Sequence, residues 1–125
     1  MKEVLQQWVD RSTRLPGVLA CGLRFPDKTS FTRSWSTEFP VHNLDRAWRC
    51  ASDATQVLKL NFPPNDYVRW VYENALLYSA RREDGVCLGI FTGRDAQACD
   101  PAEMERLLAE FRSLNGAPPN SVGRQ

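Results

Sequence analysis

The stretch LDRAWRCASDATQVLKL, residues 44–60, lies near the middle of this 125-residue chain and has the apolar period of a helix. We expect the helix to run from Leu44 to about Lys59, after a loop from Glu38 to Asn43 whose last residue is a suitable N-cap. Its apolar and small residues cover roughly half of the circumference, more than the ~100° stripe of a simple surface helix. They are Leu44, Ala47, Trp48, Ala51, Ala54, Thr55 and Leu58, flanked by Cys50 and Val57. The pattern predicts a helix that covers its own sheet and also meets a second surface.

The residues before this helix predict a first helix and a β-hairpin. Lys2 to Arg14 has an amphipathic helical period, and Pro16-Gly17 ends it. Val18 to Phe25 and Thr29 to Ser36 then read as two strands around the turn Pro26-Asp27-Lys28. Because the first of these strands is almost wholly apolar or small, we expect it to lie at the centre of a sheet.

Three further strands are predicted after Pro63-Pro64-Asn65, which breaks the chain. They run Asp66–Glu73, Ala75–Arg82 and Val86–Thr92, with Asn74 and the turn Glu83-Asp84-Gly85 between them. Asp-Gly is the strongest short hairpin signal, and the near-continuous apolar run that follows it predicts a second central strand. One long bent strand across Asn74 is the alternative to two separate strands.

A closing helix is predicted from its capping residues. Asp100 is a suitable N-cap, Pro101 suits the first helical position, and Glu103 completes a start that resembles a capping box. Its buried stripe is predicted to be Met104, Leu107, Leu108 and Phe111. We expect one domain over residues 1–115 and a flexible polar tail over residues 116–125.

Composition favours a single globular domain. Hydrophobic residues make up 42% of the chain and charged residues 25%, and 16 basic against 15 acidic residues leave a net charge of +1. This balance indicates neither a nucleic acid nor an anionic membrane as partner. No run approaches the roughly 18 apolar residues of a membrane span, and the first residues lack the apolar core of a signal peptide, so a cytoplasmic location is expected.

The cysteines do not form a recognisable site. Cys21, Cys50, Cys87 and Cys99 contain no C-x-x-C pair, and His42 is the single histidine. Zinc sites draw on closely spaced ligand pairs, so we expect reduced thiols and no metal. Cys21 and Cys87 are placed on the two predicted central strands, where they could face one another in the core. No catalytic residue and no cofactor are predicted.

The order α-β-β-α-β-β-β-α resembles the roadblock/LC7 domain of the wider profilin-like group. The matching stretches are GVLACGLRFPDKTSFTRSWS (residues 17–36), LDRAWRCASDATQVLKL, and ALLYSARREDGVCLGIFTGRD (residues 75–95) with the helix after it, over about residues 1–114. The resemblance implies an α/β (α+β) fold with a five-stranded antiparallel sheet. The middle helix would cover one face, and the terminal helices would cover the other.

The resemblance also implies a function by binding. Members of this family are non-enzymatic platforms that dimerise through the middle helix and third strand and bind small Ras-like GTPases or motor and scaffold complexes. We therefore predict a homodimer whose partner, if not a second copy, is a small GTPase or scaffold protein. The residues predicted to face a partner are Leu44, Trp48, Ala51, Thr55 and Leu58 on the helix, with Tyr67, Arg69 and Val71 on the strand.

A second hypothesis comes from a different class of function. It is a small-molecule sensor domain of PAS- or profilin-like architecture, which would need a pocket between the sheet and a helix. An enzyme would need a polar cluster, which the sequence does not show.

Overall fold

The computed structural model describes residues 2–61, 67–94 and 100–114. Within these ranges the order of elements is the predicted one. The strands form one antiparallel sheet in the order β2-β1-β5-β4-β3. The elements are α1 (Lys2–Ser12), β1 (Val18–Arg24), β2 (Ser30–Ser34), α2 (Val41–Asn61), β3 (Val68–Val71), β4 (Ala75–Arg81), β5 (Cys87–Gly93) and α3 (Pro101–Ser113).

The two strands predicted to be central lie inside the sheet. β5 pairs with β1 on one side and with β4 on the other, and β1 also pairs with β2. Nearly every residue of β1 and β5 is buried, as expected for strands that are covered on both faces. The described sheet ends at β2 on one edge and at β3 on the other.

Two apolar layers lie on opposite faces of this sheet. α1 and α3 share one face, where Trp8 Nε1 donates a hydrogen bond to Glu110 Oε1 at 2.6 Å. α2 covers the other face with its own cluster of buried residues. The stripe predicted for α3 is confirmed, because Met104, Leu107, Leu108 and Phe111 are all buried.

Both ends of α3 are capped by side chains. The Asp100 carboxylate accepts a hydrogen bond from the Ala102 N–H at 3.1 Å, which confirms the predicted N-cap. At the other end, the Arg82 guanidinium donates to the carbonyl oxygens of Phe111 and Leu114. Arg82 is only 7% exposed, and its Nε lies 3.2 Å from the Asp84 carboxylate. A cation at the C-terminal end also interacts favourably with the negative end of the helix dipole.

The start of α2 differs from the prediction. The helix begins at Val41, so Asn43 lies in its first turn and is not the N-cap. The Asn43 N–H donates to Pro40 O at 3.0 Å, and the Ser34 hydroxyl donates to Phe39 O. The Phe39 ring packs 4.9 Å from that of Phe91. These contacts fasten the chain to the sheet, so the predicted loop ends at Pro40.

The third strand is shorter than predicted. β3 spans Val68–Val71, and the Tyr72 N–H donates to Ala75 O at 2.9 Å in a turn that leads into β4. Two strands therefore meet near Asn74, and the alternative of one long bent strand is wrong. The smaller shifts in the other boundaries are of one or two residues. The tail from 116 to 125 and Cys99 lie outside the described residues.

Cys21 and Cys87 do not face one another. Cys21 pairs with Ile90 and packs in the layer beneath α1 and α3. Cys87 pairs with Arg24, three residues further along β1, so its side chain points to the other face. There its sulfur lies 3.4 Å from the Thr55 hydroxyl of α2. Both thiols are buried, as expected, but in separate layers.

Candidate interaction surface

Trp48 sets how α2 lies on the sheet. Its indole rests directly on Gly22 of β1 and Gly89 of β5, where an added Cβ would lie 2.2 Å and 2.5 Å from ring atoms. The indole N–H donates to the Thr32 hydroxyl at 2.9 Å, and the ring packs 5.6 Å from that of Phe91. The tryptophan therefore fills the space between the middle of α2 and the sheet.

Four of the five helix residues predicted to face a partner face this chain's own sheet instead. Leu44, Trp48, Ala51 and Thr55 are all buried. Leu58 is half-buried. A side chain packed against its own sheet has little area left for a partner, so the accessible surface of α2 lies beside this stripe.

The three strand residues predicted to face a partner lie on the face opposite α2. Tyr67 packs in the layer of α1 and α3, with its ring 6.0 Å from that of Tyr78. Side chains alternate along a strand, so Arg69 and Val71 share that side, and both are exposed. The structure thus does not bring the predicted helix and strand residues onto one face.

The alternate residues of β3 lie on the side of α2. Trp70 packs against the layer beneath α2, and the Tyr72 ring lies 6.4 Å from that of Phe91. The sequence carries large residues on both faces of this strand, so alternation alone could not show which set faces the helix. The pairing of Trp70 with Leu77 of β4 decides it.

Between α2 and β3 lies an apolar groove of about 190 Å³. Its helical side is made of small residues, which let another backbone approach closely, and its strand side is aromatic. It is lined by Ala47, Cys50, Ala51, Ala54, Trp70, Tyr72 and Leu77. We call these residues the α2–β3 groove.

The elements that form the groove also present an unsatisfied hydrogen-bond donor, an unpaired strand edge and exposed apolar side chains among the described residues. Trp70 Nε1 is buried without a hydrogen-bond partner among the described residues. β3 pairs with β4 on one side, and its outer edge is free of strand pairing within the described part of the chain. Large apolar side chains are exposed nearby: Val57 is 54% exposed, Val71 57% and Tyr72 49%. An apolar surface beside an open strand edge is typical of an interface.

Comparison with known proteins places this geometry in a known fold. The sequence matches no family model and no curated protein. Among solved structures, a roadblock/LC7 domain from Streptomyces avermitilis aligns at a TM-score of 0.57 and 19% identity, over 81% of this chain and 88% of its own. MglB from Myxococcus xanthus aligns at 0.63 and 11% identity, over 87% and 92%. The chain has the roadblock/LC7 fold.

Other solved structures agree with this assignment. The gliding protein MglB from Thermus thermophilus aligns at a TM-score of 0.58 and 17% identity, over 88% of this chain and 89% of its own. An MglB with a tetrameric arrangement aligns at 0.62 and 14% identity, over 89% and 84%. The resemblance inferred from the order of elements is therefore confirmed at the level of the roadblock/LC7 fold.

The pocket that a sensor domain would need is filled in this roadblock/LC7 fold. Trp48 occupies the space between the middle of α2 and the sheet. The α2–β3 groove, at about 190 Å³, is smaller than the roughly 300–1,000 Å³ of typical small-molecule sites. Neither the space under Trp48 nor the α2–β3 groove therefore provides the pocket of the sensor hypothesis.

The thiol of Cys21 is held in its neutral form. Burial raises its pKa to about 12, against a weaker opposing effect of the hydrogen bond with Thr13. The Cys21 sulfur lies 3.1 Å from the Thr13 hydroxyl, which also donates a hydrogen bond to Val9 O at 2.6 Å. A protonated, buried thiol is a poor nucleophile.

The described residues contain neither a cluster of metal ligands nor a membrane-spanning helix. No three or more His, Cys, Asp or Glu side chains cluster there in a way that would hold a metal ion. No helix there has the length and apolar character needed to cross a membrane.

Proposed function

We propose that the protein is a non-enzymatic interaction module that forms a homodimer through α2 and β3 and binds a small Ras-like GTPase or a scaffold protein. One observation carries the proposal: an apolar groove lies beside the open edge of β3. A roadblock/LC7-like chain that acted alone would have no need for apolar surface at this position.

The shape of the groove suits a second copy of the same chain. A two-fold axis presents the same patch from both partners, so a self-complementary surface must contain both a ridge and a recess. Cys50 and Ala54 allow a second helix to approach closely, and Val57 one turn further along supplies an apolar ridge. These features support packing of α2 against α2 across the axis.

The open strand edge supports the same arrangement. β3 of a second copy could pair with β3 antiparallel, which would satisfy the backbone groups on its outer edge and continue the sheet. Arg69 and Val71, which were predicted from the sequence, lie on this strand and stay in the proposed interface. Ala51 stays in it as well, because it lines the groove.

Trp70 has a buried N–H to which a partner could supply a hydrogen-bond acceptor. Its buried Nε1 has no partner among the described residues, and a buried donor without an acceptor costs about 1–3 kcal/mol. An acceptor from the second copy would remove that cost. The proposed dimer thereby accounts for a polar atom that the described part of a single chain leaves unsatisfied.

The similarity to MglB structures supports assembly, because one of them has a tetrameric arrangement. The roadblock/LC7 resemblance adds the class of partner, a small Ras-like GTPase. The proposal is that the dimer, with its two α2 helices side by side, forms the surface on which such a partner binds.

The functional test is a binding experiment with the immobilised protein. The probes are purified small Ras-like GTPases, each loaded in turn with GDP and with a non-hydrolysable GTP analogue. We expect retention that depends on the bound nucleotide. If the immobilised protein is dimeric but retains neither the GDP-loaded nor the GTP-analogue-loaded GTPases, the GTPase part of the proposal is contradicted. The proposed dimerisation would not be affected by that result.

A further inference from the structure

The flank of α2 that faces away from the groove borders a second, polar cavity. It has a volume of about 510 Å³ and lies where the β1–β2 and β4–β5 turns meet the C-terminal half of α2. Phe25 and Pro26 wall it on one side, and Ser52 and Gln56 of α2 wall it on another. This is a concave site of the size that small molecules occupy.

Two arginines that line this cavity, Arg24 and Arg81, lie on either side of the central strand β5. Arg24 of β1 and Arg81 of β4 both pair directly with Cys87 of the central strand β5. Residues directly opposite one another project from the same face, and neighbouring strands lie about 4.8 Å apart. Two guanidinium groups therefore flank one buried thiol on the α2 side of the sheet.

The lining concentrates positive charge in a chain that is nearly neutral. It contains four cations, Arg24, Lys28, Arg49 and Arg81, and one carboxylate, Asp53. A net charge of +1 for the whole chain makes this local excess notable. Like charges gathered in a concave site attract a counter-ion of opposite sign.

The arginine donors are only partly used. The Arg81 guanidinium donates to Cys87 Sγ at 3.5 Å, and sulfur is a weak acceptor. Arg24 Nη1 donates to the Ser30 hydroxyl at 3.1 Å and lies 3.6 Å from the Asp45 carboxylate. Arg49 is exposed and forms no ion pair with a described residue. Each guanidinium has five N–H donors, so most of this capacity remains available.

We propose that this cavity binds the phosphate group of a small phosphorylated molecule. Arg24 and Arg81 hold the anion from the sheet, and Arg49 closes on it from α2. A phosphate group carries up to two negative charges on three outward oxygens, so it can accept hydrogen bonds from three separate guanidinium groups. A carboxylate ligand has one charge and two oxygens and would suit this site less well. The site goes beyond the proposed dimer and does not depend on it, because it lies on the other flank of α2.

The test is calorimetric titration of the protein with inorganic pyrophosphate up to about 10 mM, where a site with a Kd of about 1 mM saturates. We expect saturable binding that Arg81→Gln weakens roughly tenfold, as loss of a charge-assisted hydrogen bond implies. Arg49→Gln should weaken it by a similar factor. Because Arg49 is exposed on a helix, this variant keeps the fold even if the Arg81 variant does not.

Arg46→Gln is the matched control, since it removes the same charge from an exposed position on the same helix outside the cavity. We expect it to change the affinity by less than about twofold, because Arg46 does not line the cavity and its charge acts on the anion only through solvent. Absence of saturable binding would overturn the proposal. So would an equal loss of affinity in the Arg46, Arg49 and Arg81 variants, which would show attraction by overall charge alone.

Discussion

Trp48 and the two glycines beneath it show how single residues set the distance between α2 and the sheet. Gly22 and Gly89 are neighbours on β1 and β5, and the indole lies over both of them. Their lack of a Cβ lets the largest side chain of the layer lie flat on the strands. The sequence alone does not reveal this contact. It depends on the pairing of β1 with β5, which belong to two separate hairpins, β1–β2 and β4–β5.

Gly89→Ala is predicted to destabilise the fold by about 1–3 kcal/mol, the usual cost of overpacking. The added methyl would lie 2.5 Å from Trp48 Cζ3, and the indole, only 2% exposed, is packed on all sides. Urea unfolding measures the effect.

A Trp48→Ala background provides the control for this prediction. That substitution alone should cost about 3–5 kcal/mol, and Gly89→Ala should then add less than about 0.5 kcal/mol. An equal cost of Gly89→Ala in both backgrounds would show that Trp48 is not the reason for the glycine.

The buried thiol of Cys21 predicts a loss of stability at high pH. Its pKa is raised by burial from 9.0 to about 12 in the folded protein. Above pH 9 the unfolded thiol loses its proton while the folded thiol keeps it, so the unfolded state binds fewer protons and stability falls as the pH rises. The stability that comes from keeping the Cys21 thiol protonated is fully present below pH 9 and is lost between pH 9 and about 12.

Denaturant unfolding at several pH values tests this prediction. The wild-type protein should lose up to about 1.4 kcal/mol per pH unit more than Cys21→Ala does above pH 9. Parallel pH profiles for the two proteins would show that Cys21 does not carry the effect. Tyrosine and lysine titration affects both proteins alike and cancels in the comparison.

At the scale of elements, Arg82 connects the β4–β5 turn to the C-terminus of α3. Its guanidinium donates to the carbonyls of Phe111 and Leu114 and pairs with Asp84. The cation–π contact with Phe111, 5.5 Å from the guanidinium carbon to the ring centroid, adds to this. No sequence motif indicates such a cap, because its donor lies 29 residues before the helix carbonyl that it reaches.

Arg82→Gln is predicted to cost about 3 kcal/mol, because it leaves buried carbonyls and a carboxylate without their cation. Arg82→Lys should recover less than half of that, since one ammonium cannot span the same acceptors. Urea unfolding gives the free energies, and hydrogen exchange should show the loss concentrated in α3.

Arg106→Gln is the control on the same helix. Arg106 forms an exposed ion pair with Glu103, so its loss should cost less than about 0.5 kcal/mol. A cost for Arg82→Gln no greater than this would contradict the role given to Arg82.

The helices and central strands were predictable because their signals are local. The Asp100-Pro101 start of α3 and the apolar runs of β1 and β5 need no tertiary information. The start of α2 was not predictable in the same way, since it depends on the packing of Phe39 against Phe91. The face of β3 toward α2 depends on the register with β4, which residues within β3 do not encode.

At the scale of the whole molecule, the two flanks of α2 border surfaces of different chemistry. One flank borders the apolar α2–β3 groove, and the other borders the arginine-lined cavity. The sequence predicted excess apolar surface on α2, but Leu44, Trp48 and Thr55 are buried in the chain itself, and of the predicted helix residues only Ala51 lines the groove. The helix residues available to a partner lie beside that buried stripe, at Cys50 and Ala54, because the sheet already covers the stripe itself.

Sedimentation equilibrium tests the central claim, self-association through the α2–β3 groove. The wild-type chain should sediment as a dimer, and Ala54→Glu should yield a monomer, because it places a charge in the apolar groove. Ala109→Glu, the same substitution at an exposed position of α3, should remain dimeric. A wild-type protein that is monomeric at high concentration, or an Ala54→Glu variant that associates as the wild type does, would contradict the account.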